Sequence, residues 1–413
     1  MAVDIRLPTE GLSPSDLEAW PGELRLLLDE EAGELLAAVA GAAGGTLASW
    51  RPRQVDHQPG RFTVVQYRTT MIWPQGKKTS ETFVAATGDR IPDSGAAVFE
   101  GDHHRVAVWR WTNDPFLPGL LDGLDPAKVA SLLDDLGIDG GSVQLRTRAY
   151  RPARRAVIEA TGRRGRLFLK VVRPGRAGDL HELHRLLAED LPVPQSLGWS
   201  DGGVLVLSAR PGQTLRKALR SSRQPPPAPE AIIEMLDRLP PELAERPPRR
   251  DLLSSAVHHA SVIAATVPNA RERLDPLIGA LHSAIGPESG EVTAVHGDLY
   301  EAQLLVDRGR ITGLLDVDTA GAGLRIDDLA NFCAHLSVLA LMSDRPKHIK
   351  RYGADLLAHA ERHHPPEELR PRIAAAMVGL ATGPFRVLET GWEPKTLRRL
   401  ELADEWLNGL THG

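Results

Sequence analysis

The chain has 413 residues, of which 42% are hydrophobic, a formal net charge of -5 and a single cysteine. This length allows two or three hydrophobic cores, and the acidic balance argues against a nucleic acid as the main partner. One cysteine excludes an intrachain disulfide, no apolar run is long enough to cross a bilayer, and the first residues lack the apolar core of a signal peptide. We therefore expect a cytoplasmic protein that binds neither nucleic acid nor membrane, with its oligomeric state left open.

The first 125 residues predict one helix followed by an antiparallel sheet. Apolar residues recur at helical spacing over 24–43, and Pro74-Gln75-Gly76-Lys77 supplies a turn between two later strands. The strand-like runs are 46–53, 61–73, 79–86 and 104–111. Because one helix packed on an antiparallel sheet is the simplest arrangement, residues 1–125 are predicted to form a separate α+β cap.

Residues 126–215 predict two strands, a helix over 179–190 and a further hairpin. The strand at 167–172 is apolar except for Lys170. An ammonium within a buried strand is costly without a partner. Lys170 is therefore expected either to meet an anionic ligand or to reach solvent from the strand end.

Residues 216–413 are predicted to be mostly helical. Trp392 and Trp406 lie in this region and either stack on a ring-shaped ligand or belong to the core. Six segments have helical spacing: 251–266, 270–285, 328–342, 349–363, 367–381 and 396–409.

A short strand and a hairpin interrupt these helices. The strand at 292–295 leads to His296-Gly297-Asp298, where Gly297 permits a sharp turn. Two apolar runs, 304–306 and 311–315, then flank a turn at 307–310. Pairing across that turn places Gln303 beside Asp316 at the open end of the hairpin.

The oxygen-bearing side chains at this end of the hairpin suit phosphoryl transfer, which needs a carboxylate near the attacking hydroxyl and hard oxygen ligands for Mg²⁺. Asp298 would accept or orient the hydroxyl proton, while Asp316 and the amide oxygen of Gln303 would hold the metal. Asp318 would face the same side as Asp316 on a strand and could support the metal. The alternative is that these acids are ordinary turn residues of a hairpin.

These motifs together resemble the catalytic core of the aminoglycoside phosphotransferase and choline kinase-like superfamily, relatives of the protein kinases. The resemblance implies an α+β, bilobal protein-kinase-like fold with an ATP-binding lobe at 126–215 and a mostly helical catalytic and substrate lobe at 216–413. In one position the chain departs from the superfamily, since Gln303 stands where Asn is usual and is one methylene longer. The matching segments are His296-Gly297-Asp298, Gln303, Leu315-Asp316-Val317-Asp318 and Asp328-Leu329-Ala330.

The resemblance also implies how ATP would be held. Lys170 would contact the nucleotide phosphates with Glu182 as its carboxylate partner, and Ser208 and Arg210 would border the adenine. The usual glycine-rich phosphate loop is replaced by an arginine-rich segment at 148–155. The five arginines between 146 and 155 either bind phosphate or form a solvated turn.

We therefore expect an enzyme that uses ATP and Mg²⁺ to phosphorylate a hydroxyl of a small molecule, most simply a sugar, amino sugar, aminocyclitol or aminoglycoside. The cap ahead of the ATP-binding lobe is similar to the layout of maltokinases and bacterial glucosamine kinases. The competing hypothesis is a nucleotide-binding regulatory module of the same fold without catalysis, because Gln303 and the absent glycine loop depart from the superfamily.

Overall fold

The computed structural model describes residues 18–101, 104–221, 225–248, 251–286 and 290–409, and the structural statements below refer to these ranges. Two five-stranded antiparallel sheets are followed by a predominantly helical part. The predicted α+β class with a helical C-terminal lobe is confirmed. Within the described ranges, no helix is both long and apolar enough to cross a membrane.

The N-terminal cap consists of two helices on one face of a sheet. The helices are α1 (Gly22–Leu28) and α2 (Glu31–Ala42), so the single helix predicted over 24–43 is broken near Asp29. The strands run in the spatial order β1-β2-β3-β5-β4, and β4 was not predicted. Their bounds are β1 (Thr46–Gln58), β2 (Phe62–Ile72), β3 (Lys78–Ala86), β4 (Ala97–Glu100) and β5 (Arg105–Arg110).

Side chains that alternate between the two sides of β2 explain how the cap sheet has apolar residues buried on both faces. Val65 and Tyr67 lie in the same core as the two helices, whereas Phe62 and Val64 pack in a smaller cluster on the opposite face. Successive residues of a strand point to opposite faces, so one strand serves both clusters.

The second sheet forms the N-terminal lobe, in the order β6-β7-β8-β10-β9. Leu117 and Leu120, which precede the predicted boundary at residue 125, pack in the core of this sheet and not in the cap. The strands are β6 (Gln144–Arg151), β7 (Arg155–Gly162), β8 (Gly165–Val172), β9 (Ser196–Trp199) and β10 (Val204–Ser208); the helices are α3 (Gly119–Gly123), α4 (Pro126–Asp135) and α5 (Ala177–Leu187).

The arginine-rich segment at 148–155 is mostly strand. Strand β6 continues to Arg151 and pairs it with Arg155 of β7, which leaves only residues 152–154 as a turn. The segment is therefore two strand ends joined by a three-residue turn. Pairing with β7 provides hydrogen-bond partners for the backbone N–H and C=O groups, and these bonds do not depend on the side chains being arginines.

The C-terminal lobe is built around one buried helix. This helix, α12 (Pro366–Ala381), packs against α8, α10 and α14, and all six predicted helical segments are helical. The helices of this lobe are α6 (Leu215–Ser221), α7 (Glu230–Asp237), α8 (Leu252–Thr266), α9 (Arg271–Ile285), α10 (Arg325–Leu341), α11 (Pro346–Ala360), α12, α13 (Gly383–Arg386) and α14 (Trp392–Leu407).

Two small sheets lie between the lobes. The predicted hairpin is formed by β13 (Leu304–Asp307) and β14 (Arg310–Leu314), and β11 (Gln213–Thr214) pairs with β13. Strand β12 (Thr293–Val295) pairs with β15 (Gly321–Gly323). The polar residues predicted from the sequence lie at the ends of these short strands.

The cap contacts both lobes. Trp20 packs with its ring centroid 5.9 Å from that of Phe385 and 6.3 Å from that of Trp392, and its indole N–H donates to the Thr266 carbonyl at 3.1 Å. Toward the other lobe, Asp56 of β1 forms a 2.8 Å ion pair with Arg154.

Trp392 is therefore a core residue. Trp406 is also buried, with its indole N–H donating to the Ser337 hydroxyl. Of the two explanations left open by the sequence, the structure supports core packing for both tryptophans.

Candidate active site

The loop that carries Asp298 is held by helix α10. The amides of His296 and Gly297 donate to the Asp328 carboxylate at 2.7 and 2.8 Å, and Gly297 adopts φ 78° to make the turn. The buried His296 ring contacts the Leu315 carbonyl at 3.0 Å. These contacts fix the loop from beneath, so that Asp298 lies half-buried at the wall of a cavity.

Gln303 and Asp316 meet at the end of the hairpin as the strand register predicted. The Leu315 amide donates to the Gln303 carbonyl at 2.8 Å, and the Gln303 side-chain amide lies 3.3 Å from the Asp316 carboxylate. Gln303 is only 6% exposed. The hairpin contacts therefore hold the Gln303 side chain in a buried position.

Asp316 and Asp318 do not lie on a strand, so the prediction that they face one side of it is wrong. Strand β14 ends at Leu314, Asp316 takes the left-handed conformation with φ 56°, and 317–319 form a 3₁₀ turn. Aspartate tolerates this conformation better than most residues. The turn nevertheless brings both carboxylates to the same cation, Lys170.

Two cations of the N-terminal lobe meet these two carboxylates across the cleft. Lys170, 5% exposed on β8, contacts Asp316 at 3.2 Å and also Asp318. The Arg155 guanidinium binds both oxygens of Asp316 at 2.6 Å and reaches Asp318 at 3.4 Å. Burial alone would raise the pKa of Asp316, but Lys170 and Arg155 hold it well below its usual range.

Glu182 is not the partner of Lys170. Its side chain is 67% exposed and lies near His181 and Arg185. The buried stripe of α5 contains Leu180, Leu183, His184 and Leu187, so Glu182 falls on the solvent side of the helix.

His184 takes the inward position on α5. Its Nδ1 contacts the Pro194 carbonyl at 2.8 Å, and the residue lines the same cavity as Lys170. Burial lowers the pKa of His184, and the charge of Lys170 lowers it further. An imidazole therefore takes the inward position on α5, where the sequence predicted a carboxylate.

A cavity of about 350 Å³ lies between β8, β10 and the hairpin. One part of its wall is apolar, with Val157, Phe168, Leu207, Leu305 and Leu315. Its other end contains Arg155, Lys170, Gln303 and Asp316. The cavity thus combines a flat apolar slot with a charged end, the two environments that a nucleotide requires.

Ser208 and Arg210 line this cavity as predicted, but their polar groups are partly used. The Ser208 amide donates to the Gln195 carbonyl at 2.9 Å, and the Arg210 side chain donates to the Thr312 carbonyl at 3.2 Å. Neither of these two donors is therefore directed at a ligand.

The oxygen donors at the charged end suit Mg²⁺. Asp316 and Asp318 share one lysine, and Gln303 donates its side-chain N–H to Asp316, so its amide must turn over before its oxygen can join the two carboxylates as a ligand of the kind that Mg²⁺ prefers. Arg155 and Lys170 supply the compensating positive charge in this structure. The residues therefore fit the metal, with Arg155 in the position that a divalent ion would need.

A second cavity, of about 380 Å³, has Asp298 in its wall. Tyr300 and His335 stack in its wall with ring centroids 4.2 Å apart, and burial lowers the pKa of His335 to about 3. The sequence did not assign His335, His184 or Arg386 a role in the site. Arg155 was considered only as one of the five clustered arginines.

Comparison with known proteins gives a family but no close relative. No curated protein matches the chain. A choline/ethanolamine kinase family protein from Mesorhizobium loti is 16% identical, with a TM-score of 0.49 over 68% of this chain and 93% of that one. A macrolide 2'-phosphotransferase from Brachybacterium faecium is 20% identical, with a TM-score of 0.41 over 69% of this chain and 100% of that one.

The chain also matches a family model, over a segment that contains the residues predicted to form the site. It runs from residue 152, in the β6–β7 turn, to residue 406 in α14, so it includes Lys170, Asp298 and Asp316 but not the cap. The chain belongs to the phosphotransferase enzyme family.

Proposed function

We propose that this protein is an ATP-dependent kinase that phosphorylates a hydroxyl group of a small molecule. The observation that carries the proposal is the position of Asp298 in the wall of one cavity, next to a second cavity that contains Lys170, Gln303 and Asp316. Burial would lower the pKa of Arg155, but Asp316, Asp318 and Asp298 raise it, so the three carboxylates act on one guanidinium. A phosphate donor and a hydroxyl acceptor in these two cavities would meet at Asp298.

ATP would lie with its base in the apolar slot and its phosphates toward Lys170. The aromatic ring of Phe168 and the aliphatic side chains around it offer a surface for a purine, and Ser208 and Arg210 border it. Lys170 would contact the phosphates as a point charge, and Arg155 would exchange Asp316 for a phosphate oxygen.

The chemistry would then depend mainly on position and charge. Asp298 would accept the hydrogen bond of the acceptor hydroxyl and take its proton as the phosphoryl group transfers. Mg²⁺, held by Gln303, Asp316 and Asp318, would neutralise phosphate charge. The clamp of Asp328 on the loop would keep Asp298 in place during this step.

The acceptor is proposed to be a sugar, amino sugar or aminocyclitol, a class whose members fit a cavity of about 380 Å³. The second candidate, a regulatory nucleotide-binding module, is favoured by one observation. Arg155 binds both oxygens of Asp316, which an active site must release.

An acceptor screen separates the two candidates. ADP release in the presence of Mg-ATP is measured over a panel of sugars, amino sugars, aminocyclitols and aminoglycosides, with wild-type protein and Lys170→Ala. We expect acceptor-dependent ADP release by the wild type, and weaker Mg-ATP binding without unfolding in the variant. Tight ATP binding with no turnover on any acceptor would favour the regulatory module.

A further inference from the structure

The cavity that contains Asp298, here called the acceptor cavity, has acidic and basic side chains in its wall, and the acidic ones already have hydrogen-bond or ion-pair partners. Three carboxylates besides Asp298 line it, and each already has a donor. Asp251 accepts from the Ser254 amide at 2.6 Å, Asp328 accepts from two loop amides, and Asp327 meets the Arg372 guanidinium at 3.3 Å. Apart from Asp298, the acids of this wall are therefore committed to the structure of the lobe.

Two arginines of the same wall have no such partner among the described residues. Arg151 lies at the end of β6 and Arg386 at the end of α13. Neither guanidinium forms an ion pair or a side-chain hydrogen bond with a residue in the described ranges, although both line the cavity that contains Asp298. The nearest cap carboxylate, Asp56, is already paired with Arg154 at 2.8 Å.

The two arginines also lie close enough to repel each other. Burial lowers the pKa of Arg386, and the charge of Arg151 lowers it further, while Asp56 and Asp298 oppose this shift. Arg386 is partly buried and Arg151 exposed, and an anionic ligand between the two guanidiniums would relieve their repulsion. His335 does not add to this positive charge, because burial lowers its pKa to about 3 and keeps it neutral near pH 7.

We propose that Arg151 and Arg386 bind an anionic group, a carboxylate or a phosphate, on the acceptor molecule. The inference rests on the proposed kinase function and specifies its substrate class as an anionic polyhydroxy compound. The two arginines that flank the β6–β7 turn line different cavities. Arg155 lines the cavity proposed for the nucleotide, and Arg151 lines the acceptor cavity. This division assigns Arg151 to the acceptor and not to the nucleotide.

The experiment compares four compounds with a six-carbon polyhydroxy skeleton: glucose, glucosamine, gluconate and glucose 6-phosphate. Steady-state kinetics with Mg-ATP are measured for the wild type, Arg151→Gln and Arg386→Gln, with Arg398→Gln, an exposed arginine of α14, as the matched control. Loss of a charged hydrogen bond costs about 1.5–3 kcal/mol, so we expect KM for the anionic compounds to rise roughly 10- to 100-fold in the two variants. KM for ATP and the kinetics of Arg398→Gln should stay unchanged.

Two kinetic results would overturn the proposal. One is a preference for glucosamine over the anionic compounds in the wild type. The other is a rise in KM for ATP in the variants without a rise for the anionic acceptor, which would assign the arginines to the transferred phosphate. Arg151 is an exposed residue at the end of β6, so its variant tests the proposal even if Arg386→Gln fails to fold.

A binding measurement separates this proposal from the proposed kinase activity. If ATP binds but none of the four compounds is phosphorylated, the kinase assignment fails for these acceptors, and calorimetric titration of gluconate and glucose 6-phosphate then tests the anion site alone. Binding to the wild type that is lost in Arg151→Gln supports the site. Absence of binding by both anions contradicts it.

Discussion

Asp298 is the residue on which the proposed chemistry depends most directly. Its loop is held by Asp328, so replacing its carboxylate by an amide should leave the fold intact. We expect Asp298→Asn to lower kcat by roughly 10²- to 10⁴-fold, the usual contribution of a general base, while Mg-ATP binding is retained. Single-turnover phosphate transfer and calorimetric ATP titration measure the two effects.

The matched control for Asp298 is Asp307→Asn, in the turn of the β13–β14 hairpin. It removes a carboxylate from the same region without touching either cavity. A wild-type rate in Asp298→Asn, or an equal loss in both variants, would exclude Asp298 as the base.

The contacts of Arg155 lead us to expect that this residue weakens the binding of divalent ions. Its guanidinium holds both oxygens of Asp316, so a metal ion without nucleotide must displace it. We expect Mn²⁺, used as a spectroscopic substitute for Mg²⁺, to bind the nucleotide-free wild type weakly and Arg155→Gln about 10-fold more tightly, since one charged hydrogen bond is worth roughly 1.5–3 kcal/mol. Titration followed by electron paramagnetic resonance measures this.

Arg166→Gln is the control for Arg155, because Arg166 lines the same cavity without an ion pair in the described ranges. Equal Mn²⁺ affinity in the wild type, Arg155→Gln and Arg166→Gln would show that Arg155 does not compete for the metal ligands.

At the scale of elements, the β6–β7 turn replaces the glycine-rich loop and depends on one buried carboxylate. Asp114 accepts from the Ala153 amide at 2.8 Å and from the Tyr150 hydroxyl at 2.7 Å. Ala153 adopts φ 56°, a strained conformation for alanine that these contacts help to hold. Burial raises the pKa of Asp114, although the hydrogen bonds to it oppose that rise.

We expect Asp114→Ala to free this turn, because the Ala153 amide and the Tyr150 hydroxyl lose their common acceptor. Hydrogen exchange should accelerate over 151–155, with a loss of about 1–3 kcal/mol in stability, since buried polar groups are left without a partner. Tyr150→Phe, which removes one of the bonds, should give a smaller effect. Asp122→Ala, at an exposed pair with Lys128, is the control. Unchanged exchange in Asp114→Ala would mean that another contact holds the turn.

The hairpin shows why part of the site could be predicted from the sequence. Its two apolar runs flank four residues with turn-forming sequence, 307–310, so local pattern and register were enough to bring Gln303 to Asp316. The Lys170–Asp316 contact joins residues that are 146 positions apart, and no local pattern reports it. The outward rotation of Glu182 could have been predicted, since Leu180, Leu183 and Leu187 already define the buried face of α5.

The arginine-rich segment shows why another part of the structure could not be predicted from the sequence. The sequence left open whether its arginines bind phosphate or form a solvated turn, whereas pairing with β7 makes most of the segment strand. Tertiary context decides strand formation more than composition does. For the same reason β4, a short edge strand, and the break between α1 and α2 were not predicted.

At the scale of the whole molecule, the interface between the cap and the helical lobe contains a buried histidine. His57 of β1 contacts the Thr63 hydroxyl at 2.8 Å, and its other ring nitrogen has no partner in the described part of the chain. Burial lowers the pKa of His57 to about 4; Glu23 and Asp56 oppose that shift, and His258 of α8 adds to it. Protonation would therefore place a positive charge in a buried site, where Glu23 and Asp56 only partly offset the cost of burial.

The sign of the pH effect follows from this lowered pKa. The unfolded chain takes up the proton near pH 6.5 and the folded protein only near pH 4, so stability present above pH 6.5 is lost as the pH falls toward 4. With these two values the loss attributable to His57 at pH 5 is about 2 kcal/mol. Urea unfolding at pH 7.5 and pH 5 measures it.

We expect His57→Gln to reduce the difference in unfolding free energy between the two pH values. His363→Gln, which removes an exposed histidine of the helical lobe, should not. An unchanged pH dependence in His57→Gln would show that other groups are responsible for the acid sensitivity.

The docking of Trp20 has a consequence for the order in which the protein can fold during synthesis. Its indole donates to Thr266, which lies 246 residues later, and its ring packs on Phe385 and Trp392 of the last helices. On the ribosome, the cap sheet and its helices emerge long before these partners are made. The contact between cap and helical lobe must therefore form last, and a chain arrested before α13 and α14 would expose the aromatic face of Trp20 to chaperones and proteases.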